Sequence, residues 1–126
     1  MKIICIGNRF SYPDNFGILI YEKLIKIDLD YEIIEGGIGG MNLLPHFETN
    51  DKILIIIDYA QNFDKNILTK KDIEQIELTE YNHSTAFLYL LKSIENDYTI
   101  FVENSKFDEK KIDKYIPQIL KLASEL

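Results

Sequence analysis

The sequence predicts an α/β fold: a doubly wound, mainly parallel sheet of about five strands with helices on both faces. Three observations lead there. Short, almost continuous apolar runs at residues 3–6 and 53–57 have the pattern of buried central strands, and 98–102 reads as a further strand. The segments after the first strand and before the last repeat apolar residues at three- and four-residue spacing, which is helical. The two kinds of segment alternate along the chain, and alternation of that sort implies crossover connections and a parallel sheet.

With 126 residues, 46% of them hydrophobic, the chain is expected to form one domain over 1–126 with a substantial core. Fourteen Lys and Arg against 21 Asp and Glu leave a formal charge of -7. That sign opposes the counterion release that drives nucleic-acid binding, and it provides no polybasic membrane signal. Expected partners are neutral or basic protein surfaces or small cations. No apolar run approaches the roughly 18 to 20 residues of a spanning helix, so no membrane insertion and a cytoplasmic setting are the default expectations. Cys5 is the only cysteine. It lies in the first strand pattern, where it should pack as a small hydrophobe, and it can make no disulfide within the chain.

The first strand pattern is Ile3, Ile4, Cys5 and Ile6. The loop Gly7-Asn8-Arg9-Phe10-Ser11-Tyr12-Pro13-Asp14 follows, then a helical pattern through Phe16, Leu19, Ile20, Leu24 and Ile27. Tyr31, Ile33 and Ile34 suggest a second strand ending at Glu35-Gly36-Gly37. Four of the six glycines fall between 36 and 40, ahead of a short helix pattern, Met41 to Phe47, that Pro45 should interrupt. Ile53–Ile57 is the most apolar run and reads as the central strand, with Asp58 directly after it. Residues 62–71 read as loop, and Ile73, Ile76 and Leu78 as a marginal edge strand. His83 precedes a helix through Ala86, Phe87, Leu90, Leu91 and Ile94, with Asn82 or Ser84 as a cap. Tyr98–Val102 is the last strand. Ile112, Ile116, Ile119, Leu120 and Leu122 make a closing helix that Pro117 should bend or delay.

Three side chains stand where a site is built. Asp14 follows the first strand, Asp58 ends the third, and His83 opens a helix. If the first and third strands are neighbours, both aspartates face one crevice at the carboxyl edge of the sheet. Two carboxylates and an imidazole suit a borderline divalent ion such as nickel or zinc, with positions left open for water or substrate. Each has a plainer reading. Asp14 also reads as a helix N-cap, which is compatible with ligation, Asp58 as a solvated turn residue, and His83 as a surface or capping histidine. His46 reads as structural or solvated. The glycines at 36–40 match neither GxGxxG nor a Walker loop and read equally as a turn.

Four stretches carry a family resemblance. Gly7-Asn8 with Asp14 and Gly17 resembles the opening motif of the nickel-iron hydrogenase maturation endopeptidases. Glu35-Gly36-Gly37 followed by Gly40-Met41-Asn42-Leu43-Leu44 is similar to that family's acid-Gly-Gly and next helix. Ile55-Ile56-Ile57-Asp58-Tyr59-Ala60 resembles its central strand and aspartate, and Asn82-His83 before Phe87-Leu88-Tyr89-Leu90-Leu91 its histidine-led helix. The four occur in register over about three quarters of the chain. The resemblance implies an aspartic-type endopeptidase that recognises nickel already loaded into a hydrogenase large-subunit precursor and removes the C-terminal extension. It places Asp14, Asp58 and His83 at the metal-contacting and catalytic positions, with Gly36, Gly37, Gly39 and Gly40 near the substrate tail. By the same resemblance, zinc or cadmium is expected to substitute for the nickel that the precursor carries. Pro13 occupies the position where the family usually has another acid, and the segments after Asp58 and after the last strand are short for the family. Those departures suggest a rival reading, a non-catalytic metal-sensing or assembly chaperone of the same fold. A small-ligand or nucleotide-binding domain is a third reading that relies on the glycine loop alone.

Overall fold

A computed structural model describes residues 1–12, 14–38, 41–48, 50–57, 66–75, 90–103 and 107–126. Five strands form one sheet: β1 Lys2–Cys5, β2 Glu32–Glu35, β3 Ile53–Ile57, β4 Ile67–Thr69 and β5 Tyr98–Val102. Their order across the sheet is β2-β1-β3-β5-β4. All pairs are parallel except β4 with β5, which is antiparallel. The expected doubly wound, mainly parallel sheet of five strands is therefore present, with β1 beside β3.

Strand alternation divides the core. Ile3, Cys5, Leu54, Ile56 and Phe101 face one side, and Ile4, Ile6, Ile55, Ile57, Ile100 and Val102 the other. This is the period-two pattern of a pleated sheet, and both faces are apolar because both are covered. The first face is covered by α1 (Phe16–Leu24) and α4 (Tyr115–Glu125), through Phe16, Ile20, Leu24, Ile119 and Leu122. The second is covered by a 3-10 turn at Met41–Leu43, α2 (Leu44–Phe47), α3 (Lys70–Glu74) and a helical stretch at 90–93, through Leu43, Phe47, Ile73, Leu90 and Leu91. Cys5 is fully buried, as expected of a small core hydrophobe. Burial first, then the nearby Glu35 carboxylate, pushes its thiol well above the ordinary range.

Several local expectations are corrected. Residues 67–71, expected as loop, contain β4 and the start of α3. Ile73, expected in a strand, lies in α3. An edge strand exists, but a few residues earlier, where Leu68 alone of the three is buried. Thr69 supplies what the sequence reading passed over: its hydroxyl accepts from the Asp72 N–H while the Asp72 carboxylate accepts from the Thr69 N–H. This capping box starts α3 immediately after the strand. Pro45 lies in the first turn of α2, where a missing N–H costs nothing, so it begins that helix rather than interrupting it. Pro117 behaves as expected: a 3-10 stretch, Glu109–Lys114, carries Ile112, and the α-helix begins only at Tyr115. Ile76 and Leu78 lie outside the described residues.

Candidate functional site

Parallel pairing brings the carboxyl ends of β1, β3 and β5 together. The Ile6 N–H donates to the Ile56 carbonyl at 2.9 Å, and the Glu103 N–H donates to the Ile57 carbonyl at 3.2 Å. In open α/β sheets this edge, where the strand order reverses about β1 and β3, is where ligands bind.

The loop from β1 to α1 closes on itself at that edge. The Asn8 N–H donates to the Asp14 carbonyl at 2.7 Å, and the Asn8 side-chain oxygen accepts from the Phe10 N–H at 3.1 Å. The second contact is an Asx turn, which reverses the chain locally. Closure requires Gly7, because a Cβ there would lie 2.6 Å from the Asp14 carbonyl oxygen. The Gly7 N–H in turn donates to the Gly37 carbonyl at 2.8 Å, tying the loop after β1 to the loop after β2. Asp14 is left exposed on the rim.

Asn15, not Asp14, occupies the N-cap position of α1, and its side chain makes no capping hydrogen bond. The Asn15 amide donates instead to Glu109 Oε1 at 2.9 Å, while its buried Oδ1 accepts no hydrogen bond from the described residues. The capping reading of Asp14 is therefore not met: the N-cap position falls one residue later, on Asn15, which is buried against the 3-10 stretch. Beside it the Tyr12 hydroxyl donates to the Phe107 carbonyl.

Glu35 ends β2 on the same rim. The Arg9 guanidinium donates to Glu22 of α1 and, at 3.2 Å, to Glu35. The Glu22 bond, then the Glu35 bond, hold the guanidinium pKa above its ordinary value. Gly36 is buried, and a Cβ there would lie 3.0 to 3.1 Å from side-chain carbons of Ile4, Leu43 and Ile6, so tight packing accounts for it. Gly37 has a φ of 59° and open space around its Cα. Asp58, His83, Gly39 and Gly40 lie outside the described residues. Of the three proposed ligands the structure thus places Asp14. Among the described residues no group of three His, Cys, Asp or Glu side chains could hold a metal ion.

One carboxylate escaped the sequence reading. Glu103 follows β5 and is buried. The Tyr115 hydroxyl donates to it, and burial followed by that bond raises the phenol above its ordinary range. The signal was available, since Glu103 follows an apolar strand as Asp58 follows Ile53–Ile57.

Over nearly its whole length the chain has the fold of several solved structures. The hydrogenase maturating endopeptidase HybD from E. coli superposes with a TM-score of 0.70 at 19% identity, over 98% of this chain and 91% of that one. The [NiFe] hydrogenase maturation protease HycI from Thermococcus kodakarensis KOD1 gives 0.60 at 15%, over 98% and 89%. The hydrogenase 2 maturation peptidase from Thaumarchaeota archaeon SCGC_AB-539-E09 gives 0.59 at 14%, over 98% and 97%. No protein-family model matches the sequence, and no curated protein matches it. The α/β architecture is thus that of the hydrogenase maturation proteases.

Proposed function

We propose that this chain is a metal-dependent hydrogenase maturation endopeptidase, acting on a nickel-loaded large-subunit precursor and removing its C-terminal extension. The observation that carries the reading is the near-complete two-way coverage of HybD, 98% of this chain and 91% of that one. Over that length the motif-bearing loop puts Asp14 on the carboxyl edge, at the junction of β1 and β3. An exposed carboxylate there suits a metal held by another protein, because it needs no closed cage of its own.

In this reading nickel is part of the substrate, and Asp14, Asp58 and His83 would hold it from the enzyme's side. Two carboxylates and an imidazole fit a borderline divalent ion, with zinc or cadmium able to replace nickel. Such an ion would polarise the scissile carbonyl or activate water. The loop closure through Gly7 and the Asn8 N–H holds the Asp14 backbone in place. Gly37, Gly39 and Gly40 would let the precursor tail approach the backbone, and Gly36 would support them from below. No helix among the described residues is long and apolar enough to cross a membrane.

The test is processing of nickel-loaded precursor by Asp14→Ala, Asp58→Ala and His83→Ala. Each should lose roughly 100-fold or more in rate, the scale of removing one electrostatic group from a site. Unchanged cleavage in all three would refute the assignment. Wild-type protein that retains precursor without cutting it would favour the assembly-chaperone reading.

A further inference from the structure

The rim of the candidate site presents apolar side chains that the fold does not use. Phe10 is 93% exposed and Ile38 is 80% exposed, against 51% for Ile25, the next among the exposed large hydrophobic residues. Isolated exposed apolar residues are common on any surface, so exposure alone decides nothing. What sets these two apart is position. Phe10 follows Arg9 and Ile38 lies three residues beyond Glu35, and the Arg9–Glu35 ion pair joins the two loops. The Gly7–Gly37 hydrogen bond joins them a second time. Both loops are thus tied together from within, and the fold leaves both side chains in water, Phe10 on the loop that carries Asp14 and Ile38 on the loop bonded to it. Apolar surface kept exposed next to a polar site is the mark of an interaction surface.

Charge selects the occupant. The carboxylates of Asp14, Glu22, Glu35 and Glu109 lie on this rim or tie into it, and Arg9 offsets one negative charge. The whole chain carries -7. An acidic segment would be repelled here, and a basic one attracted and oriented.

We infer that Phe10 and Ile38 form the apolar part of a docking surface for a peptide segment of a partner protein in which bulky apolar residues adjoin Lys or Arg. In naming that segment as the part of the precursor flanking the cut, the inference rests on the endopeptidase reading. The surface itself does not. Phe10 and Ile38 supply the contact area, and the surrounding carboxylates set the sign of the partner.

The experiment uses two fluorescent twelve-residue peptides of equal apolar content, one interleaving Leu and Ile with Lys and Arg, the other with Asp and Glu. Binding to the full chain is followed by anisotropy at low and at moderate salt. The basic peptide should bind at least about tenfold tighter than the acidic one, and added salt should weaken it. The Phe10→Ser, Ile38→Ser double variant should weaken it by about tenfold or more. Both side chains are exposed, so the variant should keep the wild-type circular dichroism and melting temperature. Absence of binding, equal affinity for the two peptides, or a double variant that binds like wild type overturns the inference. Cleavage of nickel-loaded precursor is measured in parallel. Precursor cut without any peptide preference removes the docking surface and leaves the endopeptidase. Peptide preference that depends on Phe10 and Ile38, with no precursor cut, does the reverse.

Discussion

Gly17 links the fold to the candidate site, and replacing it should damage both. A Cβ at Gly17 would lie 2.1 Å from the Ile6 carbonyl oxygen, 2.8 Å from its carbonyl carbon and 2.9 Å from its nitrogen. Real Cβ atoms essentially never come within 3.0 Å of another heavy atom, so the closest contact falls short by 0.9 Å. All three atoms are backbone at the end of β1, and no side-chain rotation relieves the contact. Gly17→Ala must therefore push the start of α1 off the sheet. Overpacking costs about 1 to 3 kcal/mol, and a rigid backbone obstacle argues for the upper end. Against this, Ala is favoured over Gly inside a helix by about 1 kcal/mol. The net is roughly 2 kcal/mol, or about 8 °C in melting temperature for a chain of this size. The displaced turn also carries Asp14 and Asn15, so precursor processing should fall beyond what the lost stability explains at a temperature where the variant is folded. Gly37→Ala is the control, with open space around it and only its positive φ at stake. It should cost about 1 kcal/mol. Thermal and urea unfolding of both variants decide the matter. A Gly17→Ala protein as stable as wild type, or no more affected than Gly37→Ala, would refute the close-packing argument.

Two other predictions concern parts of the fold away from Asp14. Burial, its largest cause in each case, raises the pKa of Cys5, Tyr98 and Tyr115 above the ordinary 9.0 and 10.0, with nearby carboxylates adding to the shift. The folded chain holds those protons where the unfolded chain releases them, so this stability is full below about pH 9 and is lost as pH rises. Melting temperature should fall progressively above pH 9, and Cys5→Ala should flatten the first part of that fall; a flat profile to pH 11 would contradict the burial of all three. Thr69→Ala should cost roughly 1 kcal/mol in urea unfolding, because it removes the hydroxyl half of the capping box that starts α3. No loss would argue that the cap is idle.

How far the sequence could be read follows from how many residues each feature needs. Ile53–Ile57 announces a strand covered on both faces because five consecutive aliphatics leave no exposed side. β4 could not be found that way: it has three residues with one buried, too few for a period of two to show. The edge-strand expectation fell instead on the next apolar residues, of which Ile73 belongs to a helix. For the cap of α1 the sequence pointed to Asp14, and the structure puts the N-cap position one residue later, at Asn15. The Asn15 side chain does not cap the helix but donates to Glu109, 94 residues away, a partner no local pattern announces.

By itself, then, the sequence determined the local patterns: which runs are covered on both faces, which segments are amphipathic, and that Asp14 and Asp58 each follow a strand. These depend on neighbours within a few residues. The tertiary structure decided the strand order that sets β1 against β3, the burial of Glu103 under Tyr115, and the joining of two loops by Arg9 and Glu35. Those outcomes depend on pairings between residues far apart in the chain, and no local period encodes them. Asp14 shows the division most clearly. Its place after a strand was legible, and its exposure on the rim, one residue before an N-cap position whose side chain bonds to Glu109 94 residues on, was not.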